Sequence, residues 1–278
     1  MSHALDLTKL TSIALDVARD AAQHVARGHR SRPSYDRKHS HADLVTRFDL
    51  ESEQLIRRLL AERTPELAII GEEQGGEDDG RPSWLVDPID GTTNFAHGHP
   101  FYAVSIGLTH EGLPLLGAVV APALACEWHG FVGAGGGAFR NGERCTVTAQ
   151  STLSDCLVAT GFSPMVRGLG QPEDNLAAFL RVAPHVRDMR RCGSAALDLC
   201  MVADGTYDAF WERRLGAWDV AAGAAIVLAA GGQITDLTGA PCDFRHGYLL
   251  ASNGHVHADL VGMLAVDGAP TWAPDTIA

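Results

Sequence analysis

Apolar positions recur at near-helical spacing from Leu5 through Leu10, Ile13, Leu15 and Val17 to Val25. The spacing predicts an amphipathic helix over 5–28, stopped at Gly28. Residues 30–46 are polar, include Pro33, and read as a loop or hairpin. A second helix is expected from near Asp49 to about Arg63, with Asp49 at its N-terminus and Glu51 and Glu53 in the first turn, where the helix dipole favours acids. The period then shortens. Residues 67–70 and 84–86 are brief apolar runs that lead into Gly71-Glu72-Glu73 and Asp87. Both read as buried strands delivering carboxylates at their C-terminal ends. Strand-like runs follow at 102–109, 114–121 and 126–132, and Asn141-Gly142 predicts a hairpin turn.

The remainder alternates. Strands are expected at 156–160, 207–211 and 248–251, and helices at 173–183, 194–204 and 218–230, the last stopped by Gly231-Gly232. Helices, then a mostly antiparallel sheet, then mixed strands and helices predict one layered α/β (α+β) unit over 1–278. Its halves would be 1–148 (α+β) and 149–278 (α/β). A boundary near 145–152 is plausible, although no linker-like composition marks it.

Composition narrows the function. Of 278 residues, 46% are hydrophobic and 20% charged, so a sizeable core is available and wholesale disorder is excluded. The net charge of −12, with no long Lys/Arg run, argues against general binding to nucleic acid or anionic membrane. It also makes the chain an odd host for a phosphate ester unless bound cations reverse the local field. The six cysteines, at 126, 145, 156, 192, 200 and 242, form no C-x-x-C pair and are expected to be reduced thiols of a cytoplasmic protein. No signal peptide is visible at the start, and no run reaches about 18 apolar residues, so no membrane span is expected.

The chemistry concentrates in Asp87-Pro88-Ile89-Asp90-Gly91-Thr92-Thr93. Asp87 and Asp90 would face opposite ways on a regular strand. Pro88 and Gly91 argue for a turn that lets both carboxylates converge. Two carboxylates about 4 Å apart repel by roughly 4 kcal/mol at an effective dielectric near 20. A shared divalent cation removes that penalty, and hard oxygen ligands favour magnesium or manganese over zinc. Gly91-Thr92-Thr93 then opens a helix whose free N–H groups suit an anion. The same residues also fit an Asx-turn with a threonine cap. Asp49 and Asp219 taken singly fit helix caps; with Glu72 they gain meaning only as a set.

Residues 87–95 (DPIDGTTNF), the upstream Gly71-Glu72-Glu73 and the distant 218–223 (WDVAAG) resemble the two signatures of the inositol monophosphatase family. Asp43-Leu44-Val45-Thr46 with Asp49, Gly193-Ser194-Ala195-Ala196 and Phe210-Trp211-Glu212 extend the resemblance from about Asp6 to Asn253. It implies an alternating αβαβα sandwich, shared with fructose-1,6-bisphosphatases, and usually a homodimer. It implies two or three Mg2+ ions, with Mn2+ a substitute and Li+ and Ca2+ inhibitory. Glu72, Asp87 and the Ile89 carbonyl would hold the first ion, and Asp87, Asp90 and Asp219 the second. Glu72 would reach a third through water.

The resemblance further implies that Gly91 and Thr92 bind phosphate, and that Asp49 and Thr92, assisted by Glu72, orient or deprotonate the attacking water. Gly193, Ser194 and Glu212 would contact the alcohol, with Asp90 and Asp219 beside it. The first half would thus carry the metal site and the second the substrate-side residues. The expected reaction is Mg-dependent hydrolysis of a small phosphate monoester by metal-activated water, foremost myo-inositol monophosphate. Histidinol phosphate, fructose 1,6-bisphosphate and a nucleotide 3′-phosphate are alternatives. Some bacterial relatives are regulatory partners of RNA-processing or transcription machinery, so a protein partner is the alternative of another class.

Other features weigh less. Residues 133–137 (GAGGG) lack the Lys-Ser/Thr of a phosphate loop and read as a turn. The pairs His39/His41, His97/His99 and His255/His257 have no third zinc-type ligand and read as surface or loop histidines, with a rim contact open for His97 and His99. Arg190-Arg191 and Arg213-Arg214 read as solvated charge, with Arg213 and Arg214 also placed to line a site entrance. Lys38 matches a lysine near the family site and reads equally as solvated.

Overall fold

The computed structural model describes residues 5–31, 33–38, 44–163, 175–244 and 247–265. Helix α1 (Leu7–Ala26) buries Leu10, Ala14, Val17, Ala18, Ala21 and Val25 on one face. Strands β1 (Tyr35–Arg37) and β2 (Leu44–Thr46) form an antiparallel pair, the hairpin expected between the first two helices. Helix α2 (Arg47–Arg63) starts two residues before Asp49. Thr46 is its N-cap. Asp49, third in the helix, accepts the Thr46 N–H at 2.8 Å and hydroxyl at 2.6 Å. This is a capping box, and it corrects the placement of Asp49 at the helix start.

Strands β3 (Ala68–Gly71), β4 (Ser83–Asp90), β5 (Ala103–His110), β6 (Leu113–Ala121), β7 (Cys126–Phe131), β8 (Gly137–Arg140) and β9 (Glu143–Cys145) make a seven-stranded sheet in that order. Only the β3–β4 pair is parallel. The predicted two-residue hairpin at Asn141-Gly142 is present, with φ of 50° and 84°. Along β6, Leu116, Ala118 and Val120 join the core under α1 and α2, whereas Val119 and Ala121 join the core on the other face. That alternation is the period of two expected of a sheet covered on both sides.

The second half adds β10 (Leu157–Thr160), α4 (Leu176–Val182), β11 (Asp188–Arg190), α5 (Ala195–Ala203), β12 (Ala209–Glu212), α6 (Ala217–Ala229), β13 (Gln233–Thr235), β14 (Leu249–Ser252) and α7 (His257–Leu264). Its strands form a sheet in the order β11-β10-β12-β14-β13. The sequence pattern does not predict strands β11 and β13 or helix α7. The two strands are three residues each, too short for a periodic signal, and both lie at sheet edges. The segment at 145–152 is stitched down: Thr148 donates to Asp208 at 2.6 Å, and Asn253 donates to Thr148 and to the Gln150 carbonyl.

Helices α5 and α6 lie between the two sheets, α1 and α2 cover the outer face of the first, and α4 and α7 cover that of the second. The order of layers is αβαβα, as expected. One close approach sets the middle layer. Gly107 and Gly117 are cross-strand partners, and a Cβ on either would lie 2.6 or 2.1 Å from the Ala222 backbone. Only bare backbone lets α6 sit on the sheet there, and α6 begins two residues before Asp219.

Candidate active site

Strand β4 runs to Asp90 and is buried throughout, so Pro88 does not turn the chain as expected. The register slips instead: Asp87 faces Ser105, but Asp90 faces Ala103. Three steps on β4 match two on β5. This one-residue bulge turns Asp87 and Asp90 toward the same side. The Asp87 carboxylate accepts the Ile89 N–H at 2.9 Å within the bulge.

Two helix starts then meet this strand end. Asp90 accepts the Ser194 hydroxyl at 2.6 Å and the Ala196 N–H at 2.7 Å, so its carboxylate closes the N-terminus of α5. Asp219, third in α6, accepts the Gly216 N–H at 2.7 Å. Oxygens of Asp87, Asp90 and Asp219 lie within 4.8 Å of one another. Burial raises the pKa of all three, and mutual repulsion adds to this at Asp87 and Asp219, with Glu72 acting on each member. For Asp90 the hydrogen bonds from α5 hold the rise to about 6.

Gly91 has φ of 92°, and a Cβ there would lie 3.0 Å from the Phe101 carbonyl and 3.1 Å from that of Gly193. It leads into α3 (Thr92–His97). Asn94 ties this helix to the second half, donating to the Phe101 and Cys192 carbonyls at 2.7 and 2.8 Å. The Thr92 hydroxyl lies 3.0 Å from both Asp49 Oδ1 and the Ile89 carbonyl. Burial pushes Asp49 up to about 6, against the pull of its bonds from Thr46 and Thr92.

Glu72 lies against Asp87 but outside the mutual cluster of three. Lys38 Nζ is 2.9 Å from Glu72 and 2.6 Å from Glu73. Burial draws the Lys38 pKa down, but the two glutamates outweigh it and raise it overall. Lys38 is therefore part of an ion-pair network rather than free in solvent. Behind it, Glu53 is fully buried and accepts the N–H groups of Glu73 and Gln74 and the Arg57 side chain at 2.7, 3.1 and 2.7 Å. In the sequence Glu53 reads only as a first-turn acid. Its burial is not legible in the sequence, because two of its three partners come from 20 and 21 residues downstream.

A cavity of about 190 Å³ joins these groups. Glu72, Asp87, Ile89, Asp90, Gly91, Thr92, Gly193, Ser194, Glu212 and Asp219 all line it, while Asp49 is reached through Thr92. Burial pushes Glu212 up to about 8, opposed by Arg191 and aided by Asp90. Its carboxylate occupies the space where Gly161 lacks a side chain. Arg191 also lines the cavity, which corrects its reading as solvated charge alone. His97, His99, Arg213 and Arg214 do not line it, and Arg213 is buried. His39, His41, Asp43 and the start of the helix expected at 173–183 lie outside the described residues. His257 is a structural residue, held between Thr235 and Ser252.

The donor set suits a hard divalent cation. Asp87, Asp90 and Asp219 are oxygen donors, and among the described residues no ion pair with a basic side chain reaches any of them. No helix among the described residues is long and apolar enough to cross a membrane.

The chain matches the inositol monophosphatase family over residues 6–266. It is 41% identical to the inositol-1-monophosphatase of Rhizobium meliloti (strain 1021), covering 77% of this chain and 80% of that protein. The Nus factor SuhB of Pseudomonas aeruginosa is 37% identical over 88% of this chain and 91% of its own. The structure of an inositol monophosphatase from Anabaena superposes with a TM-score of 0.83 at 34% identity, covering 94% of this chain and 96% of that one. With this fold, these signatures and these relatives, the chain belongs to the inositol monophosphatase family and is a phosphoric monoester hydrolase.

Proposed function

We propose that the protein hydrolyses the phosphate monoester of a small polyol, foremost myo-inositol monophosphate, with Mg2+ as cofactor. The observation that carries this reading is the convergence of Asp87, Asp90 and Asp219 within 4.8 Å, without a basic partner, in a cavity that Gly91, Thr92 and Glu212 also line. The relative named inositol-1-monophosphatase favours inositol phosphate over histidinol phosphate, fructose 1,6-bisphosphate or a nucleotide 3′-phosphate.

Glu72, Asp87 and the Ile89 carbonyl would hold one ion, and Asp87, Asp90 and Asp219 another, with Mn2+ a substitute. Bound there, the ions would neutralise phosphate oxygens, lower the pKa of water and stabilise the leaving alkoxide. Gly91 and Thr92 would receive the phosphate through the free N–H groups that open α3. The Thr92 hydroxyl donates to Asp49 Oδ1, which leaves Thr92 Oγ1 free to accept from the attacking water. Asp49 would take the proton as the water attacks phosphorus in line. Glu212 and Gly193, with Ser194 behind Asp90, would orient the alcohol.

The family resemblance extends the reading to a cytoplasmic homodimer inhibited by Li+ and Ca2+. The relative named as a Nus factor supports a second role, binding a protein partner alongside catalysis. Phosphate release from the four esters, with and without Mg2+, tests the first reading. Mg-dependent turnover with the highest kcat/KM for inositol phosphate is expected. Preference for another ester would overturn the substrate, and no turnover of any would overturn the catalytic reading.

A further inference from the structure

A second cavity, of about 230 Å³, is larger than the catalytic one and shares no lining residue with it. It lies between the β3–β4 connection, the β5–β6 turn and the start of α6. That helix start divides the two spaces: Ala217 and Trp218 line the second cavity, and Asp219 lines the first. Trp218 and Phe244 give the second cavity aromatic surface, and Leu85 gives it aliphatic surface. Asp78, Glu111 and Asp243 line it as well. Arg81 is also there, but its charge is already paired: Nε and Nη2 bond to Asp79 at 2.9 and 2.7 Å, and Nη1 to the Glu66 carbonyl at 3.3 Å. The charge left over is negative. The Trp218 indole adds an unmet donor. The N–H groups of Trp84, Trp128 and Trp211 donate to side-chain oxygens at 2.9, 3.0 and 2.9 Å. That of Trp218 has no acceptor among the described residues.

We propose that this cavity is a second binding site, for a small aromatic amine that carries a hydrogen-bond acceptor. The ammonium meets Asp78, Glu111 and Asp243, the ring lies with Trp218, Phe244 and Leu85, and the acceptor takes the Trp218 Nε1–H. Indole and phenyl faces favour a cation as well, through their quadrupoles. The same carboxylates repel a phosphate ester, so the site is not a second copy of the catalytic cavity. Apolar walls with a few convergent polar groups are the ordinary make-up of a small-molecule site.

Tyramine, tyrosol and 4-hydroxyphenylacetate share a ring and a phenol oxygen and carry a positive, zero and negative charge. Calorimetry and ligand-observed NMR on the full chain at pH 8 read their affinities, with Mg2+ and inorganic phosphate present to occupy the catalytic cavity. Tyramine is expected to bind about tenfold or more tightly than the other two, because only it gains from the carboxylates. Phenethylamine, which lacks the phenol oxygen, should bind several-fold more weakly than tyramine. Trp218→Phe should bring tyramine down to the phenethylamine level; should that variant not fold, the phenethylamine comparison reads the same contact. Asp78→Asn with Glu111→Gln, both at exposed positions, should remove most of the preference for tyramine over tyrosol. Asp20→Asn with Glu62→Gln, which lose the same charge from exposed positions on α1 and α2, should leave it intact. No tyramine binding by the wild type, equal affinity for the three probes, or an equal loss in the two double variants overturns the proposal, the last by showing only a general attraction of cations to an acidic chain.

Discussion

Asp90 shows how one carboxylate serves two structures at once. One oxygen ties off the N-terminus of α5 through Ser194 and Ala196. The group also sits in the cluster with Asp87 and Asp219. Replacing it with asparagine keeps the shape and removes the charge. Asp90→Asn is expected to lower Mg-dependent phosphate release by more than about a hundredfold, because a charged ligand is lost where the reaction develops charge. Without metal, its melting temperature should equal or exceed that of the wild type, since a crowded negative charge is gone. Near-normal rates would show that the ligand set is wrong. Glu212 lies deeper in the wall, against Gly161. Glu212→Ala is expected to raise KM for the polyol ester several-fold, as for a lost hydrogen bond of about 0.5–1.5 kcal/mol, with little change in Mg2+ affinity. An unchanged KM would remove Glu212 from the alcohol contact. At this scale the acids were legible because they stand in recognisable strings. Glu53 and Arg191 were not, because a helix-face glutamate and a basic pair look the same in sequence whether solvated or structural.

At the scale of elements, convergence depends on two devices. The β4 bulge turns Asp87 and Asp90 to one side, and the Gly107–Gly117 pair lets α6 approach closely enough to bring Asp219. A Cβ on Gly117 would meet the Ala222 carbonyl oxygen, which cannot yield as a side chain would. Gly117→Ala is expected to lose about 1–3 kcal/mol in urea titration, the usual cost of overpacking. Gly262, in α7, meets nothing within 4 Å, and Gly262→Ala should instead gain about 0.5–1 kcal/mol from helix propensity. Two variants of the same sign would refute the assigned contact. The main helices and the longer strands were readable from period alone. The bulge was not, since Pro88 and Gly91 describe a turn equally well, and register belongs to both strands.

At the scale of the molecule, the outermost helix is fastened to the second sheet by a buried polar tie as well as apolar contact. His257 joins β13 to β14 from the start of α7. Thr235 donates its proton to the Asp236 carbonyl, so it accepts from His257 Nε2–H, and Nδ1 accepts from Ser252. This network suits neutral imidazole, and burial lowers the His257 pKa below its ordinary 6.5. With the folded pKa depressed, the unfolded chain binds a proton first as pH falls. Stability is therefore full above about 6.5 and is lost on acidification through that value toward the folded pKa. Between about pH 7.5 and 5.5 the urea midpoint of the wild type should decline relative to that of His257→Gln. Equal slopes would refute the assignment. His29 and His129, also lowered by burial, and the buried acids Asp49, Asp90 and Glu212, raised by it and therefore of opposite slope, give the same background in both proteins. By itself the sequence determined the layered class and the acidic residues, because periodicity and short strings are local properties of a chain. Only the tertiary structure decided that strand β4, helix α3 and the starts of α5 and α6 share one cavity, and that Lys38 leans on Glu72. Those contacts join residues 34 to more than 100 positions apart, and packing between layers, not local pattern, sets which of them meet.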